Sequence, residues 1–327
     1  MAAFIVRRFV YMTTTLIFVS IIGFFIINLP RGSYIDFYIQ QRQMQGTNTS
    51  EGEIQAITKR FGLDEPLYVQ YAKWITGFVQ GDFGRSFEYN REVKDLIWER
   101  LLFTALISTV TLLFTWAIAI PIGIYSATHQ YSVGDNAATI VGLAGLSIPN
   151  FMLALVLMVV AQRVFGQSVG GLFSPEYQDA PWSPGKVADL LKHVWVPILV
   201  VGTSGTASLI RMMRGNLLDI LNMQYVQAAR ARGVREYKVI VKHAVRNAVH
   251  PLIMLLGMSL PGIISGSTVV AIVLSLPTTG PLYFRALRQQ DMYLAVTFLM
   301  FLSAMLVVGN FIADILLVWI DPRIRYD

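Results

Sequence analysis

Cysteine is missing from this chain of 327 residues, which excludes disulfides and thiolate metal sites. Charge is scarce as well. Asp, Glu, Lys and Arg make up 14% of the residues against 54% hydrophobic, and the mean hydropathy is +0.54. A soluble globular domain carries about 25% charged residues, so this composition excludes that class and leaves an integral membrane protein. No GxxxxGK[ST] phosphate loop, HExxH or GxSxG motif occurs, and the four histidines at 129, 193, 243 and 250 are scattered. The chain therefore shows no residues for binding or hydrolysing ATP, and no catalytic, cofactor or metal site is expected on it. The net charge of +6 does not indicate nucleic acid, because positions 211–246 hold eight basic and two acidic residues, a surplus equal to that of the whole chain. Such a surplus, confined to one segment between apolar runs, is a positive-inside signal.

What is present is a series of apolar runs that predicts an all-α protein with six transmembrane helices. Residues 9–29 are uncharged and follow Arg7 and Arg8, so they read as a retained first span with the N-terminus in the cytoplasm. Residues 30–97 switch to a small-domain composition and form an extracytoplasmic insertion. A five-helix core then covers 98–320. Its spans are expected at 101–126 with Pro121, 136–164 bent at Pro149, 193–213, 252–276 and 291–320, with polar connections at 166–192 and 277–290 outside. Pro149, Asn150, Pro261, Gly262 and Gly266 are candidates for helix kinks or a solute pathway, the two glycines having the GxxxG spacing that permits close helix approach. Asp314 is an acid inside the last span, for which a packing contact or an inner-face Arg is the favoured partner. Residues 321–327 form a tail that returns to the cytoplasm.

The basic stretch between the fourth and fifth spans has its own pattern. Asn222 is a candidate N-cap for a short helix whose last turn holds Arg230 and Arg232, and Gly233 supplies a left-handed stop. Beyond it Tyr237, Val241, Ala244, Val245 and Ala248 recur at helical spacing, while Lys238, Lys242 and Arg246 form a basic stripe on another face. This predicts a second, amphipathic helix running to Pro251, and a loop over 214–250 that meets a soluble partner.

Tyr225-Val226-Gln227-Ala228-Ala229-Arg230-Ala231-Arg232-Gly233, followed by His243-Ala244-Val245-Arg246-Asn247-Ala248 and Pro251, resembles the coupling loop of permease subunits in binding-protein-dependent ABC importers, within them the peptide and nickel branch. Phe61-Gly62-Leu63-Asp64-Glu65-Pro66-Leu67, Gln70-Tyr71, Trp74 and Gly81-Asp82-Phe83-Gly84-Arg85-Ser86 are similar to the same branch, as are Ser147-Ile148-Pro149-Asn150-Phe151 and the tail from Asp321 to Tyr326. The chain departs from the family at Gln227, which replaces an acidic residue. It departs also at His243, Val245 and Arg246, at Pro30-Arg31-Gly32-Ser33, and at Ala271 and Ser275 to Pro281, where a glutamate is usual. Residues 34–53 look like an extension particular to this lineage.

The resemblance implies a type I ABC importer permease fold. It implies that Tyr225, Gln227, Ala228, Ala229, Arg232, Gly233, His243, Arg246, Asn247 and Pro251 couple the chain to ATPase subunits. The implied partners are a second homologous permease in a heterodimer, two ATP-binding cassette subunits carrying ATP and Mg, an extracytoplasmic solute-binding protein and the lipid bilayer of a prokaryotic plasma membrane. Short peptides lead as the expected solute, with oligosaccharides and nickel complexes as alternatives. A self-contained secondary transporter or channel is the reading from a different class. It would be expected to show inverted repeats and several intramembrane charges, where only Asp314 stands clearly inside a span. A membrane enzyme would need a catalytic constellation that the residues do not show.

Overall fold

The computed structural model describes residues 2–29, 34–44, 50–265 and 267–320, and among them the chain is helical apart from connections and an isolated β-bridge between Arg85 and Glu92. In hydrocarbon each backbone polar group must be satisfied within its own segment, which is why the apolar runs become helices. In chain order these are α1 (Ala2–Ile27), α2 (Tyr34–Met44), α3 (Glu51–Phe61), α4 (Leu67–Val79), α5 (Val93–Thr128), α6 (Val133–Ser147), α7 (Asn150–Phe165), α8 (Pro184–Leu221), α9 (Gln224–Ala231), α10 (Glu236–Ala248), α11 (His250–Ser265), α12 (Thr268–Val273), α13 (Thr279–Arg288) and α14 (Met292–Ile320). Segments of α1, α5, α8 and α14 are long and apolar enough to cross a membrane singly, whereas α6 with α7 and α10 with α11 qualify as bent pairs of 99° and 42°. Counting each bent pair as one span gives six by length and composition, the fifth being α11 with α10 leading into it.

The sequence predicts one bent span over 136–164, and the structure breaks it into two helices. Ile148 is held extended at ψ 120 by the ring that follows, and Pro149 precedes α7 at ψ 133 without an N–H to continue a ladder. Pro121 and Pro197, in contrast, lie inside α5 and α8. The expected fifth span to residue 276 ends at Ser265, followed by the six residues of α12. Gly266, one of the candidates, lies outside the described residues, as do residues 30–33 and 321–327. The connection expected at 277–290 contains α13, which begins after Thr278.

Two compact units divide the chain, Met1–Leu102 with Thr278–Val307 and Phe103–Pro277 with Val308–Asp327. In the first, Phe24, Trp74, Phe87, Met292, Val296 and Met300 form the core, and Trp74 donates its indole N–H to Thr297 Oγ1 at 3.4 Å. The Gly81-to-Ser86 stretch owes its composition to a tight loop. Gly81 and Gly84 take φ 84 and 78, the Asp82 carboxylate accepts the Gly84 N–H at 2.9 Å, and Arg85 donates to the Asn90 carbonyl at 2.9 Å. A Cβ on Gly84 would stand 2.8 Å from the Tyr293 ring. The loop ends on Ser86, whose hydroxyl bonds the Asp291 carboxylate, and both residues are 0% exposed.

In the second unit α8 is the central element. Val194, Val196 and Val200 pack with Ala154, Ala161 and Leu274, while Met213, Leu217 and Leu221 pack with Val226, Val239, Ala244, Ala248 and Leu252. Near the start of α6 the buried Asp135 accepts Arg214 Nε and Nη2, each at 2.9 Å, and the Tyr131 N–H at 3.0 Å. Burying the carboxylate of this bidentate pair requires hydrogen bonds to its oxygens, which the Tyr131 N–H helps supply. At Gly262 the approach of another helix is by a side chain, Ser108 Oγ of α5 donating to the Gly262 carbonyl at 3.3 Å, and the backbone-to-backbone approach lies at another glycine. A Cβ on Gly257 would lie 2.5 Å from the Gly309 carbonyl oxygen, so α11 and α14 meet backbone to backbone there, whereas the same atom on Gly262 would meet open space.

Candidate functional site

The candidate coupling residues fall on a helical hairpin made by α9 and α10. Its entry differs from the sequence expectation. Because α8 runs on to Leu221, Asn222 is that helix's C-cap, with φ −89 and ψ −6, and its side-chain amide donates to the Leu218 carbonyl at 3.1 Å. Met223, extended at ψ 145, precedes α9 instead and supplies no side-chain cap. Gln227, where the family usually has an acid, donates Nε2 to the Leu221 carbonyl at 3.0 Å and so satisfies an orphan acceptor at the end of α8.

Gly233 takes φ 74, the left-handed stop that its position predicts. A Cβ there would meet nothing within 4 Å, so backbone conformation and not space demands glycine. After the turn, α10 is helical as expected, but its middle, Val239–Val245, is a π-helix flanked by short α segments. The wider turn brings residues five apart towards one face, so Val239, Ala244 and Ala248 are fully buried. Tyr237 and Val241, which α-helical spacing groups on one face with Ala244 and Ala248, are instead 75% and 45% exposed, beside the exposed Lys238 and Lys242. Periodicity at α spacing groups them with Ala244 and Ala248 because it has no term for a π turn.

Two side-chain braces close the hairpin. Arg230 forks onto Glu236 across the glycine turn, with Nη2 to Oε1 at 2.6 Å, and Glu236 raises the guanidinium's pKa further. At the open end Asn247 donates Nδ2 to the Tyr225 hydroxyl at 2.7 Å. Sequence reading named Tyr225 and Asn247 but not their contact, and it missed Glu236. An acid six residues beyond an arginine, across a glycine, was the available signal.

The structure brings Tyr225, Gln227, Ala228, Ala229, Arg232, Gly233, His243, Arg246 and Asn247 together on this hairpin, with Pro251 in the first turn of α11. Tyr225, Ala228, Arg232 and Arg246 are exposed, His243 and Asn247 are half-buried, and Ala229 is half-buried against the chain's own core. The outer surface therefore combines cations with Tyr237 and Val241, a mixture suited to protein contact. A polar cleft of about 440 Å³ runs beside it, lined by Thr128, His129, Asn222, Arg230 and Glu236 among others. Pro149 and Asn150 stand apart from the hairpin at the α6–α7 break, and Pro261 lies within α11. Among the described residues no group of His, Asp and Glu is arranged to hold a metal ion.

Residues 119–326 match the family described as binding-protein-dependent transport system inner membrane component, and residues 1–109 match the N-terminal region described for the same systems. The oligopeptide transport system permease protein AppB of Bacillus subtilis is 34% identical over 330 residues, covering 100% of both chains. The dipeptide transport system permease protein DppB of Alkalihalophilus pseudofirmus is 29% identical over 345 residues, again covering 100% of both. The glutathione transport system permease protein GsiC of Escherichia coli K12 is 28% identical over 326 residues with the same full coverage. With an all-helical architecture, apolar helices long enough to span a bilayer and these matches along its whole length, the chain belongs to the family of binding-protein-dependent transport system inner membrane components and has the type I ABC importer permease fold.

Proposed function

We propose that this permease subunit carries short peptides inward, driven by ATP and Mg bound on separate subunits that dock on the α9–α10 hairpin. The observation that carries this is the hairpin itself. It is braced internally at both ends yet presents exposed Tyr225, Ala228, Tyr237 and Val241 among cations, in a chain without a phosphate-binding loop. Peptides are favoured over oligosaccharides or nickel complexes because the relatives above are named for oligopeptide, dipeptide and glutathione transport. The machinery comprises a second homologous permease, two ATP-binding cassette subunits and an extracytoplasmic binding protein, with both termini and residues 214–250 in the cytoplasm. The basic surplus at 211–246 supports that orientation. Pro149, Asn150, Pro261, Gly262 and Gly266 remain the proposed pathway positions.

Reconstitution with these partners tests the reading. Uptake of labelled dipeptides and oligopeptides should require ATP and the binding protein, and a labelled oligosaccharide should not be taken up. ATP-independent uptake by the single chain would replace this reading with a secondary transporter. In the cysteine-free background an impermeant thiol reagent should reach Ser50→Cys from outside and Asn222→Cys only after permeabilisation. Labelling of both from one side would overturn the topology.

A further inference from the structure

Arg211 lies on α8, and among the described residues it has neither an ion pair nor a hydrogen bond, whereas Arg214, one turn later, is held by Asp135. Its side chain is exposed at one end of a groove of about 170 Å³ between α6 and α8, lined by Gly142, Leu146, Ala207 and Ile210 with Arg214 beside them. This space is smaller than the roughly 300 Å³ at which small-molecule pockets begin, so it fits a length of hydrocarbon chain and not a folded solute. The charges at its mouth do not cancel, since Asp135 neutralises one arginine and leaves the other. An exposed arginine that no carboxylate of this chain neutralises, at the mouth of an apolar groove between two helices, matches an anionic lipid headgroup in charge. Arg211 also opens the basic surplus of 211–246, and with the orientation proposed above that surplus sets it near the inner membrane boundary.

We propose that this groove holds one anionic phospholipid of the inner leaflet, its acyl chain along α6 and α8 and its phosphate on Arg211. The assignment of leaflet rests on the orientation proposed above. A lipid seated there links α6 to α8 just before α8 leaves the membrane for the coupling hairpin, so its occupancy bears on how firmly the hairpin's base is held.

The experiment counts phosphatidylglycerol retained by the assembled importer, by native mass spectrometry after exchange from phosphatidylglycerol-containing into phosphatidylcholine nanodiscs. Arg211→Gln should retain one phosphatidylglycerol fewer, with about fivefold weaker affinity for it, as expected from removing one interfacial cation. Gly142→Leu, which fills the groove without touching the charge, should lose the same lipid, and Arg211→Lys should keep it. Unchanged retention in both Arg211→Gln and Gly142→Leu would overturn the proposal. So would loss of the second permease from Arg211→Gln with its lipid intact, which would assign the arginine to a protein neighbour. Displacement of the lipid by millimolar inorganic phosphate would overturn it too, because the site would then take a bare anion. Binding-protein-stimulated ATP hydrolysis is measured on the same samples. If the wild-type complex hydrolyses normally but the lipid count does not depend on Arg211, the lipid site fails while the proposed function stands.

Discussion

Two loops of this protein, Gly81 to Arg91 in the first unit and the α9–α10 hairpin in the second, are both held by side-chain hydrogen bonds, but they use them differently. In the first, the anchoring pair Ser86 and Asp291 is completely buried and lies 205 residues apart in sequence. In the second, the braces Arg230–Glu236 and Tyr225–Asn247 are exposed and lie 6 and 22 residues apart. Buried anchors make a loop part of the folded core. Exposed, local braces fix a hairpin's shape while leaving its outer surface for another protein.

The largest expected effect is at the buried anchor. Asp291→Ala leaves the Ser86 hydroxyl and the N–H groups of Glu88 and Leu294 without their acceptor, and should cost about 3 kcal/mol, read as a lowered thermal midpoint in lipid nanodiscs. A loss as small as that at the hairpin's braces would erase the contrast between the loops. The same residue makes a pH prediction. Burial raises the Asp291 pKa against the opposing hydrogen bonds of Ser86 and the backbone, so the folded chain binds its proton more tightly than the unfolded one. That stabilisation is complete below the unfolded value of about 3.9 and is lost as pH rises through the raised value. Asp291→Asn should therefore flatten the fall in thermal midpoint with rising pH, and an unchanged slope would assign the dependence to other carboxylates.

At the hairpin the loss should appear in coupling and not in folding. Gly233→Val forces a β-branched residue to φ 74, costing about 1–2 kcal/mol locally. Membrane insertion should stay near normal while the ATPase subunits fail to co-purify, or hydrolyse without transport. Wild-type assembly and coupling would mean that the hairpin is only a basic tether. Ala229→Glu, by contrast, should disturb the chain from within, since Ala229 packs against its own core. A double-mutant cycle on Arg230 and Glu236 should give a coupling of only about 0.5 kcal/mol, reduced by salt, because both side chains are substantially exposed. Smallest of all, Lys242→Ala on the outer face should leave assembly and hydrolysis within error of wild type.

The sequence by itself determined the membrane class, the apolar runs that become spanning helices, the left-handed turn at Gly233 and the position of the hairpin. Each follows from short-range physics, from hydropathy over about 20 residues or from the φ that one residue type tolerates. Only the tertiary structure decided that Pro149 ends a helix while Pro121 and Pro197 are carried inside theirs, since that depends on what packs around the freed carbonyl. It also decided that the close glycine contact is Gly257 with Gly309 and not the GxxxG spacing at Gly262, because the partner helix lies some 50 residues away. The π turn at Val239–Val245 belongs to the same class. It places Val239, Ala244 and Ala248 beneath α8 and turns Tyr237 and Val241 outwards. The hydrogen-bond register of a helix responds to the surface it packs on, and no local pattern in the chain encodes that surface.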